Sequence, residues 1–355
     1  MSEKKLKTAI LGLGDKGKLL LEAAGNADFL EIEAVADKDA ELVQKTAAQF
    51  KCAAYDDYRS LIMQNQFDCL IVTAPWHTCD KYVKGAIERK FNILAGPPLA
   101  RNFEEAAQLV RLAKEHDIKF ALAEPNRFAK GTVALGKYIA EKKIDHIFLL
   151  TATCTVGNAP LQPWQSDPKL AGGGVLMHEC YDIIDIIVSC FGIPQQVYSI
   201  NTSSALDRKQ RLYLTEDASL ITMKFSDAFV ANLLAVRSGA AEAQTKLIKI
   251  YGQNRNLTLS AKDFLVTDET GQTIERFKFY SGELSAMTQV LENFAMSIIA
   301  PDNNKLCSSA AQNLNNMALI EAAYLSARTG FPEEPARILQ MAGIEGETLC
   351  QGQQL

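Results

Sequence analysis

Along the first third of the chain, short and continuously apolar runs alternate with longer stretches whose apolar residues recur at helical spacing. Residues 8–11, 32–36, 69–73, 91–95 and 119–123 read as buried strands, and residues 18–24, 81–90 and 103–116 as helices packed on them. Strands that alternate with helices predict a parallel, doubly wound sheet. Ligands of such sheets lie beyond the carboxyl ends of the strands. Three junctions are therefore of interest: residues 73–77, 96–98 and 124–127. Further on the rhythm changes. Residues 147–155, 196–201, 218–225, 230–237 and 246–251 read as strands separated by Gly, Ser, Asp and Asn, and residues 285–300 and 308–329 as amphipathic helices. The expected division is a nucleotide-binding domain over 1–124, a second α/β domain over 125–340 whose last helices pack back on the first, and a tail over 341–355.

Composition narrows the function classes. A chain of 355 residues has room for two well-filled cores, and 48% hydrophobic with 22% charged residues is ordinary for a globular protein. A net charge of -5 argues against a nucleic-acid partner. The eight cysteines form no CxxC pair and no Cys/His set with zinc spacing, so no metal is expected and the thiols read as buried and reduced. No apolar stretch approaches the ~20 residues of a membrane span. The expectation is a cytoplasmic protein whose partner is a small molecule.

The first strand runs into Gly12-Leu13-Gly14-Asp15-Lys16-Gly17, a GxGxxG between strand and helix. Gly12 permits the tight turn, Gly14 lets a pyrophosphate approach the backbone beside Leu13, and Gly17 lets helix and strand close together. Asp37 ends the second strand 20 residues after Gly17, where a carboxylate accepts hydrogen bonds from an adenosine ribose. A carboxylate there repels a 2′-phosphate, so NAD is expected; the adjacent Lys38 weakens that preference and leaves NADP open. Without a ligand, the same residues make a tight turn and a helix-capping Asp.

A second candidate site lies at residues 175–191. His178, Asp182, Asp185 and Ser189 are spaced 4, 3 and 4, one stripe on a helix whose other positions include Ile183, Ile184, Ile186, Ile187, Val188, Cys190 and Phe191. An ionisable stripe on a buried helix faces a cavity, a ligand or satisfying partners. Either Asp182 orients His178 for proton exchange with a substrate hydroxyl, or the stripe is a polar network that holds the structure in register. Trp164 reads as a pocket wall or a core cover. Arg127 reads as a substrate clamp or a salt bridge, and Tyr181 as a proton donor or a packed core residue. Lys130 and Lys169 are candidate cations that nothing in the sequence places.

Several segments resemble the Gfo/Idh/MocA oxidoreductases. Ala74-Pro75-Trp76-His77 resembles that family's TPNH stretch beside the cofactor, LAGPPLA at 94–100 its CEKPLA stretch, and Asn126-Arg127-Phe128 its RRF stretch. WQSDPKLAGGG at 164–174 and EAAYLSARTG at 321–330 resemble two further runs. The resemblance implies a Rossmann domain followed by an α/β domain with an open, mostly antiparallel sheet. It also implies a homodimer or homotetramer and contacts from Ala74, Pro75 and His77 to the cofactor. It further implies a catalytic lysine, where this chain has Pro97, and a catalytic Asp and His. Aligned on the glycines, His178 takes the Asp position and Asp182 the His position. Proline carries no proton. Three functions remain: an NAD(H)-dependent oxidoreductase of a sugar, polyol or related hydroxy/keto compound with a non-standard proton-transfer site; a catalytically inactive sensor or regulatory protein; and an elimination or glycoside-cleaving enzyme that recycles its cofactor.

Overall fold

A computed structural model describes residues 5–157, 161–203, 215–238, 245–278 and 282–343; residues 344–355 of the expected tail lie outside the described residues. Contacts divide the chain into two units. One comprises residues 1–100, 105–125 and 281–310, and the other residues 101–104, 126–280 and 311–355.

The first unit carries β1 (Leu6–Leu11), β2 (Leu30–Ala36), β3 (Ala53–Tyr55), β4 (Cys69–Val72), β5 (Asn92–Ala95) and β6 (Phe120–Leu122). They form one parallel sheet of order β3-β2-β1-β4-β5-β6. This is the doubly wound arrangement the alternation predicts, and the order reverses at β1. Ala9, Ile10, Leu11, Ile71, Ile93 and Leu94 are fully enclosed, each large aliphatic side chain contributing about 1.5–3 kcal/mol by leaving water. The helices α1 (Asp15–Gly25), α2 (Ala40–Phe50), α3 (Tyr58–Gln64), α4 (Trp76–Glu88) and α5 (Phe103–Glu115) follow β1 to β5 in turn. Asp39 caps α2 by accepting from the Leu42 amide, and Asp57 caps α3 through Ser60.

The second unit begins with α6 (Lys130–Ala140) and β7 (Leu149–Gly157), followed by the helices α7 (Pro168–Ala171), α8 (Val175–Glu179) and α9 (Tyr181–Phe191). Then come β8 (Gln196–Thr202), β9 (Ala218–Lys224), β10 (Val230–Ser238), β11 (Thr245–Tyr251), β12 (Arg255–Ser260), β13 (Asp263–Asp268) and β14 (Thr273–Lys278). The eight strands form a sheet of order β14-β13-β12-β11-β7-β10-β9-β8, antiparallel except where β10 lies parallel to β7. The last three strands go beyond the sequence expectation. Helices α6 and α8 pack on one face. The other face is open and carries Ile200, Leu220 and Leu234 in one cross-strand row, 52%, 44% and 39% exposed. Of the remaining helices, α10 (Glu283–Ile299) belongs to the first unit and packs on α1, whereas most of α11 (Ala310–Thr329) and α12 (Pro335–Met341) belong to the second.

Candidate active site

In the first unit the glycine loop sits at the end of β1. Gly12 has φ +101°, and a Cβ there would strike the Ala74 backbone, so only glycine serves. Gly17 has its space closed by the Gly12 carbonyl and Thr73. The Thr73 hydroxyl donates to the Gly12 carbonyl at 2.7 Å, which ties the loop to the end of β4. Gly14 is different: nothing lies within 4 Å of where its Cβ would be. It is also the N-cap of α1 and gives that helix no side-chain cap, so the first turn begins uncapped beside open space. The Asp37 carboxylate accepts from the Leu13 amide at 2.7 Å and from the Asp39 amide at 3.1 Å. Lys38 and His77 line a cleft of about 410 Å³ together with Tyr58 and Tyr82. Pro75 is the N-cap of α4, and the Trp76 indole donates to the Pro98 carbonyl at 2.7 Å. The uncapped helix, the vacant space at Gly14 and the carboxylate at the end of β2 fit a dinucleotide.

In the second unit the glycine run at 172–174 is closely fitted. Gly172 has φ +83° and lies against the Arg101 carbonyl, Gly173 against Tyr324, and Gly174 against Glu216. Glu216 is buried and accepts from the amides of Gly174 and Leu176 at 2.8 and 3.0 Å and from the Tyr324 hydroxyl at 2.9 Å. It thereby caps α8. Burial pushes its carboxyl above the usual carboxylate range, partly offset by these donors.

The helix expected to be continuous is broken. Between α8 and α9, Cys180 has φ -109° and ψ 5°, outside helical geometry. His178 lies in the last turn of α8, one residue before its end at Glu179, and Asp182 lies in the first turn of α9. His178 and Asp182 each have partners of their own. His178 Nε2 donates to the Ala171 carbonyl at 3.0 Å, and the Trp164 ring stands edge-on to the imidazole with centroids 5.9 Å apart. A carbonyl only accepts, so the neutral ring carries its lone pair on Nδ1. Asp182 Oδ2 accepts from Asn126 Nδ2 at 2.9 Å and from Lys246 Nζ at 2.8 Å.

Of the two readings left open for Arg127 and Tyr181, the buried positions of both fit a salt bridge and a packed core residue. Arg127 is 6% exposed, and its guanidinium grips Asp185 through two bonds of 2.8 and 2.6 Å and Gln312 through one of 3.0 Å. Asn316 also donates to Asp185, at 2.8 Å. Tyr181 is 2% exposed and donates to Asn313 at 3.0 Å. A buried carboxylate demands such pairing, and Arg127 and Asn316 supply it, while Tyr181 is tied to the neighbouring Asn313. Lys246 is the site residue that sequence reading missed. It projects from β11 in phase with Ile248 and Ile250, which are 3% and 1% exposed, so an inward-facing lysine was the available signal. Burial opposes its charge, but the Asp182 carboxylate outweighs that and raises the ammonium above the ordinary lysine range. Nearby, Arg237 pairs loosely with Glu179 at 3.7 Å and Asp217 at 3.8 Å.

The sheet order, the glycine loop and the uncapped start of α1 define a dinucleotide-binding protein of the Rossmann class. Residues 6–123 match the model of the oxidoreductase family with NAD-binding Rossmann fold, and residues 137–333 match that of its C-terminal alpha/beta domain. The chain belongs to the Gfo/Idh/MocA oxidoreductase family, and residues 6–123, which make up most of the first unit, are its NAD-binding domain. D-apiose dehydrogenase of Rhizobium rhizogenes is 23% identical over 346 residues, 93% of this chain and 97% of that one. The 2,7-anhydro-N-acetylneuraminate hydratase of Mediterraneibacter gnavus is 24% identical over 225 residues, 62% of this chain and 58% of the hydratase, so that match spans little more than half of the relative. Levoglucosan dehydrogenase, solved with NADH and levoglucosan, shares the fold with a TM-score of 0.82 at 19% identity, over 93% of this chain and 99% of that one.

Proposed function

We propose that this protein is an NAD-dependent oxidoreductase that acts on a neutral sugar, polyol or related hydroxy/keto compound, with His178 and Asp182 handling the proton in place of a lysine at position 97. The observation that carries the reading is the polar cluster on otherwise apolar α8 and α9: His178 held by Ala171 beside Trp164, and Asp182 held by Lys246 and Asn126. Gly12, Leu13, Gly14 and Gly17 hold the pyrophosphate of the dinucleotide. Asp37 and Lys38 lie toward its adenosine, and Ala74, Pro75 and His77 complete the cradle. Asp37 favours NAD over NADP because its carboxylate repels a 2′-phosphate. When bound, NAD supplies the hydride acceptor or donor.

The chain's own residues do the rest. His178 accepts the substrate hydroxyl proton on Nδ1 and returns it in the reverse direction. Asp182 accepts a second substrate hydroxyl, and Trp164 gives the sugar ring an apolar wall. The neutral substrate follows from charge. Among the described residues, Glu179, Asp182 and Asp217 outnumber Arg237 and Lys246, and a site without surplus positive charge does not attract an anion. The names of the relatives, a dehydrogenase of apiose and one solved with levoglucosan, support a sugar substrate. The open face of the second unit's sheet, with its apolar row, supports assembly of copies of this chain into a homodimer or homotetramer.

Turnover of a panel of neutral sugars and polyols with NAD tests the reading. His178→Ala is expected to lose about 10²–10⁴-fold in kcat with an unchanged unfolding midpoint. Undiminished turnover in that variant removes His178 from the mechanism. Pro97 favours one second reading, a sensor without catalysis. It predicts tight NAD binding by calorimetry and no turnover of any compound on the panel.

A further inference from the structure

We propose that Lys246 is the cation of this site that meets the substrate: its ammonium donates to a substrate hydroxyl oxygen while the same group fixes Asp182 through their ion pair. The inference rests on the oxidoreductase reading above and adds a residue and a role to it.

The placement is unusual for a lysine. Lys246 lies on the face of β11 that points toward the helices, directly across from Cys154 of β7 in the sheet register. Its neighbours on that face, Ile248 and Ile250, are buried. A long cationic side chain in such a row is normally excluded unless it has a partner or a task. It has a partner in Asp182 at 2.8 Å, yet the pair is not sealed: the lysine side chain is 39% exposed and the aspartate 17%. A structural ion pair has no need of that opening. A small molecule does.

The chemistry agrees. An ammonium has three donors, and Asp182 takes one of them. Asn126 shares Asp182 Oδ2, so the carboxylate is held from two elements while Oδ1 accepts from the adjacent Ile183 amide. A vicinal diol offers one hydroxyl oxygen as acceptor to the ammonium and a second hydroxyl as donor to the carboxylate, so the pair matches a neutral polyol with adjacent hydroxyls. The groups that face Lys246 are Asp182 of α9, Cys154 of β7 and Cys180 at the junction of α8 and α9; both thiols are buried. The carboxylate keeps the lysine protonated, so it acts as a donor and a fixed charge. The accepting step stays with His178. Charge that develops on a hydroxyl oxygen as its proton leaves is stabilised by a preplaced cation.

The test compares wild type, Lys246→Met and Lys246→Arg with NAD and a panel of D-apiose, levoglucosan and myo-inositol, with circular dichroism to confirm folding. Lys246→Met is expected to lose about 10²-fold in kcat/KM, with the loss appearing in kcat as well as KM, and Lys246→Arg to recover most of it. Wild-type turnover in Lys246→Met overturns the proposal. Absence of turnover by the wild type contradicts the oxidoreductase reading instead. The lysine is then judged by the ¹⁵N signal of its ammonium, identified by its absence in Lys246→Arg. A shift of that signal on addition of the same three compounds supports contact with a hydroxyl, and no shift overturns it. In Asp182→Asn the ammonium is expected to lose its proton at lower pH than in the wild type. An identical titration contradicts the pairing.

Discussion

At the residue scale, the two sites differ in how much room they leave. Gly12 and Gly17 are glycines because backbone fills the space a Cβ needs, whereas Gly14 has open space beside it and an ordinary negative φ of -61°. Gly14→Val is therefore expected to fold with near-normal stability, within about 0.5–1 kcal/mol, and to lose NAD affinity by at least about 10²-fold. Calorimetric titration with NAD beside a thermal melt separates the two effects. Arg127 makes the opposite case. Its guanidinium is enclosed with the Asp185 carboxylate, 5% and 1% exposed, and removing it strands a buried charge. Arg127→Met is expected to destabilise the second unit by about 3–5 kcal/mol, measured by urea unfolding. If its stability matched the wild type, the clamp would be without structural weight. The sequence left Arg127 open as substrate clamp or salt bridge and Tyr181 as proton donor or core residue, because a polar residue looks the same in sequence whether it faces a ligand or a buried partner. Only the partners distinguish the two cases: Asp185 for Arg127, 58 positions away, and Asn313 for Tyr181, 132 positions away.

At the element scale, the break at Cys180 shows what periodicity conceals. Val175, Leu176 and Met177 of α8 and Ile183, Ile184, Ile186 and Ile187 of α9 are all buried, so the apolar pattern runs on across the junction. No glycine or proline marks the turn. The strands were readable where alternation was strong, as in β9, where residues 219, 221 and 223 are buried and their neighbours are not. The strands β12 and β13 bury only two residues each, so their alternation is weaker, and they pair with one another. Element ends also carry a pH signature. Burial raises the Glu216 carboxyl as it caps α8, so its folded pKa lies above the unfolded one. Stability from such a group is complete below the unfolded carboxylate range and is lost as pH rises through the folded value. Glutamine has no charge to bury. The cost of Glu216→Gln is therefore expected to shrink between about pH 5 and pH 8, measured by denaturant unfolding at both. A cost that grew with pH would show that the ionised carboxylate is the form the cap prefers.

At the scale of the whole molecule, each unit carries one part of the proposed function: a parallel sheet with a glycine loop, and a mixed sheet with a polar cluster at α8 and α9. The parallel sheet was legible because its strands and helices alternate locally. The polar cluster was legible only in part, since Lys246 reaches Asp182 across 64 positions. The open face of the mixed sheet leads to an assembly prediction. Leu220→Asp with Leu234→Asp places two charges in its apolar row and is expected to lower the mass measured by analytical ultracentrifugation, from that of a dimer or tetramer toward that of one chain. An unaltered mass moves the interface elsewhere. The central claim, that NAD held by the glycine loop exchanges hydride with a neutral polyhydroxy compound, is tested most directly by isotope transfer. The protein is incubated with NAD and C-deuterated neutral sugars and polyols, and the cofactor is recovered for NMR. Deuterium at C4 of the reduced nicotinamide is the predicted result; saturating NAD binding with no deuterium in the cofactor contradicts the account.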